Sequence, residues 1–432
     1  MTRWRSAVAL GALLLLLLAT AAGTLRAQSA APPADVLARG AYLARIGGCA
    51  SCHTRQKDAI PFAGGRSVPS PIGDIVSTNI TPDPAHGIGR YDFDDFRRVM
   101  REGTAPGTRH LYPAMPYTAY AGMTDADLRA LFAYLRHGVA PSDNVPPPTD
   151  LPFPFDQRWG LRLWKIAFLP RGVQTPDPAH DAEWMRGAYL VRSVGHCSAC
   201  HTPRGVALQE RGTDASDPLF LSGMVNDRWF ASNLRGDPGP GLGRVGESTI
   251  GRLLKTGQAD GLVTLGPMKE EVEQALQYLT DDDARAIARY LKSLPAASGN
   301  GGRASSSPTV QGPARGDHTG DVESHGAAVY RSFCARCHGG DGRGVPETFP
   351  RLAGNPSVLA EDASSLIRLV LEGGRSPATP HGPAPQSMPA YAGTLSSLQV
   401  AQVLTHLRQA WGNDARPVTT ADVAKLRQSL HK

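Results

Sequence analysis

Aromatic residues are scarce in this chain, at 6% of 432 residues, too few to fill several independent cores. A length of this order favours two to four domains. Part of the interior is therefore expected to be occupied by something other than Phe, Tyr and Trp, and a large flat cofactor would serve. No cysteine is left over, because all six fall into pairs of one spacing. There is no basic stripe interleaved with aromatics, which removes nucleic acid from the expected partners. Nor is there a second long apolar run after Ala7–Leu25, so the rest of the chain is expected to be soluble. What the chain does have in excess is Gly, 47, and Pro, 36, together about a fifth of the residues. That composition implies many loops but stops short of disorder.

The N-terminus reads as an export signal. Arg3 and Arg5 precede an apolar stretch with six consecutive leucines, Leu13–Leu18, and small residues lead to Leu25-Arg26-Ala27. Residues 1–27 are expected to be removed before Gln28, placing the protein on the periplasmic side of the cytoplasmic membrane. The competing reading, an uncleaved anchor, needs the same run just to span the bilayer. Cleavage removes Arg3, Arg5 and Arg26 and no acid, lowering the formal charge from +6 to +3.

The cysteines set the chemistry. Cys49/Cys52, Cys197/Cys200 and Cys334/Cys337 share one gap, and each pair is followed at once by His53, His201 or His338. Cys-x-x-Cys-His is the pattern of covalent haem c attachment. Two thiols one helical turn apart reach the two vinyl groups of one porphyrin, and the next imidazole lies beneath the iron. Structural disulfides give no reason for three adjacent histidines. Thioredoxin-like redox pairs call for a βαβ pattern that is missing here. Zinc sites close with four ligands and would leave one pair incomplete.

The motifs lie 148 and 137 residues apart, and their surroundings repeat. ARGAYLARIGGCASCHT and MRGAYLVRSVGHCSACHT are close copies, with HGAAVYRSFCARCHG a looser third. Apolar residues at helical spacing run into each motif. STNITPDPAHGIGR at 77–90 is echoed by ASNLRGDPGPGLGR at 231–244. Each unit also closes with an amphipathic helix begun by Thr124, Thr280, or Ser396/Ser397, with Gly138, Pro295 and Gly412 as stops. The expected fold is all-α, three tandem cytochrome c domains at 34–140, 182–295 and 323–412. A Pro-rich linker at 141–181 is expected to pack. A Gly/Ser/Pro-rich linker at 296–322 is expected to be flexible and to leave the third domain the most independent. A tail at 413–432 includes one short amphipathic helix at 418–430, which either caps the third domain or lies on a membrane.

Each iron also needs a sixth ligand. Methionine there raises the potential and closes the site to small ligands, as electron transfer requires. Met388 is the only methionine in the third domain. Met115 shares its Met-Pro context and its distance from the closing helix, unlike Met100 and Met123. In the second domain that distance selects Met268 over Met224. His110 and His381 are the alternative ligands, and the remaining histidines read as surface or capping residues. Axial pairs are thus His53/Met115, His201/Met268 and His338/Met388.

VSTNITPDP (76–84), LYPAMPY (111–117), GHCSACHTPRG (195–205), RLAGNP (351–356) and QAWGN (409–413) together resemble the three-haem cytochrome c subunit of membrane-bound bacterial dehydrogenases. The resemblance covers nearly the whole chain beyond the signal. It implies a partner catalytic subunit of flavin, quinoprotein or molybdenum type that oxidises alcohols, sugar acids or aldehydes. It also implies electron delivery toward ubiquinone or the respiratory chain, a hold on the cytoplasmic membrane, and no catalytic residue in this chain. The alternatives are a soluble multihaem shuttle to a terminal oxidase and a multihaem peroxidase.

Overall fold

Three helical units follow one another in the computed structural model, which describes residues 32–55, 60–170, 172–173, 177–297 and 319–430. The export segment 1–27 and residues 298–318 of the linker lie outside those residues, while 319–322 already belong to the third unit's opening helix. The first unit opens with Ala34–Ile46 and closes with Asp125–His137. The second opens with Ala182–Tyr189 and closes with Asp281–Ser293, and the third runs from Thr319–Phe333 to Ser397–Gln409. Helices supply most of the regular structure. The all-α expectation needs one correction: among the described residues five two-stranded antiparallel ladders, of two or three residues per strand, pair loop backbone that no helix could satisfy.

The closing helices start where the sequence places them. Thr124 and Thr280 accept from the amides of Asp127 and Asp283, and Ser396 and Gln399 form a reciprocal capping box. Gly138 caps the first closing helix, whereas the second ends at Leu294 and the third at Ala410, just before Pro295 and Gly412.

In every unit the opening helix crosses the closing helix at a glycine. A Cβ added to Gly40 would fall 2.0 Å from the Ala130 carbonyl oxygen. At Gly187 it would meet that of Ala286 at 1.9 Å, and at Gly326 that of Gln402 at 2.3 Å. Each residue touched is the sixth of its closing helix, so the three crossings share one register. The second unit has one more residue than the first between this glycine and its first cysteine. A single π-turn at Leu190–Val194 accommodates the insertion.

The first two units share one apolar core. Leu43, Ile46, Leu128 and Leu131 pack into the same cluster as Val191, Val194, Ile287 and Leu291. Across the joint the polar contacts are reciprocal. Tyr189 donates to Asp127 Oδ2 at 2.7 Å, and Tyr42 donates to Asp283 Oδ2 at 2.5 Å. Each aspartate is also gripped by the arginine of its own opening helix, Arg39 at 2.9 and 3.1 Å or Arg186 at 2.8 and 2.7 Å. This is a local two-fold clasp.

The third unit has its own core around Tyr330, Ile367, Leu371, Val400 and Leu404. It is nevertheless bonded to the second unit. Arg351 N donates to Gly261 O at 2.9 Å, Phe230 N to Ser365 Oγ at 2.8 Å, and Ala378 N to Glu273 Oε1 at 2.7 Å. These bonds oppose the independence expected from the linker composition. The C-terminal helix Thr420–Leu430 caps this unit, with Val423 fully buried and Arg427 donating to Ala392 O and Leu395 O. The Pro-rich segment is packed as well. Asn79 donates to Ser142 O and Asn144 O, Tyr112 to Phe155 O, and Lys165 Nζ to Glu102 O and Gly103 O. No helix among the described residues is long and apolar enough to cross a membrane.

Candidate functional site

Each Cys-x-x-Cys-His sequence forms a single helical turn at the end of an opening helix: Cys49–His53, Ser198–His201 just after Cys197, and Ala335–His338 just after Cys334. The residue before the first cysteine turns the chain with positive φ in two units, Gly48 at 62° and His196 at 38°. Arginines clamp two of these turns from the side. Arg66 Nη1 donates to Ser51 O at 2.7 Å, and Arg204 Nη2 to Ala199 O at 2.6 Å.

The three histidines are held alike. His53 Nδ1 lies 2.6 Å from Thr78 O, His201 Nδ1 2.7 Å from Ser232 O, and His338 Nδ1 2.9 Å from Pro350 O. A carbonyl can only accept, so the proton sits on Nδ1 and Nε2 keeps its lone pair for a metal. The main chain of each histidine is fixed too. Its carbonyl accepts from Gly64 N, Gly223 N or Gly344 N at 2.7, 2.8 and 2.8 Å. Burial pushes all three imidazoles below their ordinary pKa, only partly countered by the carbonyl contact. They are neutral at pH 7, the form that ligates a metal.

The thiols shift the other way. Burial pushes Cys49 and Cys197 up to about 12, Cys200 and Cys334 up to about 11, and Cys52 upward. A thioredoxin-type pair or a zinc thiolate site needs the opposite, a thiol lowered toward neutrality. Paired thiols a turn apart beside a Nδ1-protonated histidine fit a haem joined by thioethers. Among the described residues, no group of three or more His, Cys, Asp or Glu side chains could hold another metal ion.

Met115, Met268 and Met388 are all half-buried. Met115 comes five residues after His110, which ends the Thr104–Ala105/Arg109–His110 ladder. Met268 comes five residues after Val263, which ends the equivalent Gln258–Ala259/Leu262–Val263 ladder. Met388 itself pairs with Gly374. Met100 and Met123 are buried core residues, at 5% and 1% exposure. Met224 sits in another ladder, paired with Ala231, next to the Gly223 that holds His201. Of the alternative ligands, His110 is a half-buried strand residue and His381 is exposed.

Sequence reasoning did not name Thr78, Ser232 or Pro350, since their contribution is a backbone carbonyl. The signal was present in the echo of 77–90 in 231–244, which aligns Thr78 with Ser232. It also missed Glu271, whose charge acts on Cys52, Cys197 and Cys200 and whose Oε2 lies near Gly48. Cys52 also acts on Cys200, so the second cysteines of the first two motifs lie near one another and near this carboxylate.

The cytochrome c family model matches residues 37–138 and 324–411. The cytochrome c subunit of alcohol dehydrogenase (quinone) from Gluconacetobacter polyoxogenes is 44% identical over 412 residues, 94% of this chain and 87% of the relative. The cytochrome c subunit of gluconate 2-dehydrogenase from Pantoea cypripedii is 44% identical over 401 residues, 90% of this chain and 89% of the relative. The cytochrome subunit of fructose dehydrogenase from Gluconobacter japonicus is 37% identical over 445 residues, 97% of this chain and 88% of the relative.

Proposed function

This chain belongs to the family of cytochrome c subunits of alcohol, gluconate and fructose dehydrogenase complexes, an electron-transfer subunit carrying haem c, and we propose that it binds three such haems in three cytochrome c domains. In this reading Cys49, Cys52, His53 and Met115 hold the first haem. Cys197, Cys200, His201 and Met268 hold the second, and Cys334, Cys337, His338 and Met388 the third. The observation that carries it is the Nδ1–carbonyl contact made identically by His53, His201 and His338. Bound haem supplies iron that gains and loses one electron. The chain supplies the neutral imidazole, half-buries it, and fixes the ring through its carbonyl contact so that little reorganises when the charge changes.

The protein works on the periplasmic side of the cytoplasmic membrane, exported by its N-terminal segment. It receives electrons from a catalytic dehydrogenase subunit and delivers them toward ubiquinone, a direction supported by the quinone named for one relative. The test is purification from native membranes. Three haems per chain, low-spin six-coordinate spectra, and a co-purifying flavin, quinoprotein or molybdenum subunit are expected. Two haems, or carbon monoxide binding to most of the reduced haem, would overturn the reading. Isolation without a partner would favour the shuttle, and peroxide turnover abolished by His201→Ala would favour the peroxidase.

A further inference from the structure

We propose that the segment 153–168 docks the protein on an anionic phospholipid surface and presents the first haem unit to it. The proposal rests on the membrane reading above and adds the surface responsible.

Large apolar side chains are exposed here in unusual concentration. Phe153 is 81% exposed, Trp159 68%, Ile166 65%, Leu163 61% and Phe155 46%. The segment is ordered by its inner face. Within the helix Gly160–Phe168, Trp164 donates to Ala207 O and packs edge-on against Tyr117. Lys165 is buried and donates to Glu102 O, Gly103 O and Thr104 Oγ1. Trp159, Leu163 and Ile166 then project from the opposite face at i, i+4 and i+7 spacing. A soluble surface scatters such residues singly, whereas a contiguous apolar ridge marks a contact.

Charge selects the contact. Arg109 and Arg162 are exposed, and Arg158 stacks on the Tyr112 ring. Between residues 151 and 170 only Asp156 is acidic. An amphipathic helix with a Trp at its end, aliphatic residues on one face and cations beside them is the composition that lies in the headgroup region of anionic bilayers. Such cations each add electrostatic attraction to the surface.

Position gives the contact a purpose. Tyr112 donates to Phe155 O at 2.7 Å and Arg158 to His110 O at 2.9 Å. Met115 N donates to Tyr112 O, and Tyr117 N to Met115 O. The ridge is thus fastened to the chain on both sides of Met115, and a bilayer under it would adjoin the first haem unit, where a lipid-soluble quinone could approach.

The test compares the exported haem-loaded protein with the variant Trp159→Ser/Leu163→Ser/Ile166→Ser in flotation with vesicles of equal parts phosphatidylethanolamine and phosphatidylglycerol. Unchanged haem content and spectra establish that the variant is folded. The wild type is expected to float, and the variant to lose on the order of 100-fold in partitioning, since three apolar side chains no longer enter the interface. Equal flotation of both proteins would overturn the assignment while leaving the membrane reading intact. Failure of the wild type to float on any vesicle would overturn both. Loss of the catalytic subunit from the purified variant, with flotation unchanged, would make the ridge a protein interface instead.

Discussion

Replacing Asp283 by asparagine tests whether the first two units act as one rigid body. Asp283 accepts two hydrogen bonds from Arg186, at 2.8 and 2.7 Å, and one from Tyr42 in the other unit, at 2.5 Å. Asparagine keeps one acceptor oxygen but turns the other into a donor facing donors, and it removes the charge that strengthens all three bonds. Charge-assisted bonds contribute about 1.5–3 kcal/mol each, and breaking a buried pair costs more than one of them, so Asp283→Asn should destabilise by roughly 2–4 kcal/mol. In urea the midpoint should fall by about 1 M. The effect also has a pH signature. Burial pushes the Asp283 carboxyl up, but Arg186 and Tyr42 outweigh it, leaving the pKa below its ordinary value. Its contribution is therefore complete above about pH 4 and lost as the pH falls further. The wild type should lose stability in that range more steeply than Asp283→Asn. Tyr42→Phe should couple to Asp283→Asn by about 1 kcal/mol in a double-mutant cycle. A midpoint unchanged by Asp283→Asn, or additivity with Tyr42→Phe, would refute the clasp.

At the helix crossings, Gly326→Ala places a methyl group 2.3 Å from the Gln402 carbonyl oxygen, with helical backbone on both sides. It should cost at least about 2 kcal/mol in thermal unfolding of the third unit, while Gly393→Ala, with nothing within 4 Å, should be silent. Met388→Ala should open one iron to carbon monoxide and leave the other two low-spin, read from the reduced spectrum. Glu271→Gln removes a negative charge shared by Cys52 and Cys200. An interaction on the order of 1 kcal/mol per site should raise two of three midpoint potentials by roughly 40 mV, measured by spectroelectrochemistry.

Local features of the fold were legible in the sequence because their causes are local. Thr124, Thr280 and Ser396 announce the closing helices, since a hydroxyl facing the third amide of a helix needs no distant partner. The Cys-x-x-Cys-His turns were legible for the same reason: two cysteines and a histidine lie within one turn. The carbonyls of Thr78, Ser232 and Pro350 were not, because every residue carries a carbonyl and only the folded loop decides which one meets the imidazole. The docking of the third unit escaped as well. It rests on main-chain atoms such as Gly261 O and Phe230 N, which composition cannot report.

The clasp between the first two units is the instructive middle case. Arg-Gly-Ala-Tyr-Leu occurs at 39–43 and again at 186–190. In each copy the arginine binds the aspartate of its own closing helix, the glycine admits that helix, and the tyrosine reaches the aspartate of the other unit. One pentapeptide therefore builds both the crossing within a unit and the bond between units, and the interface is reciprocal because the peptide is repeated. The third unit keeps the glycine as Gly326 but has Gln399 where the others have Asp127 and Asp283. Its tyrosine, Tyr330, lies further along the helix and donates to Gly339 O inside its own unit. It lacks both halves of the clasp and packs a separate core. Two of the Cys-x-x-Cys-His turns therefore sit near Glu271 in units that share one core, and the third belongs to a unit docked from outside.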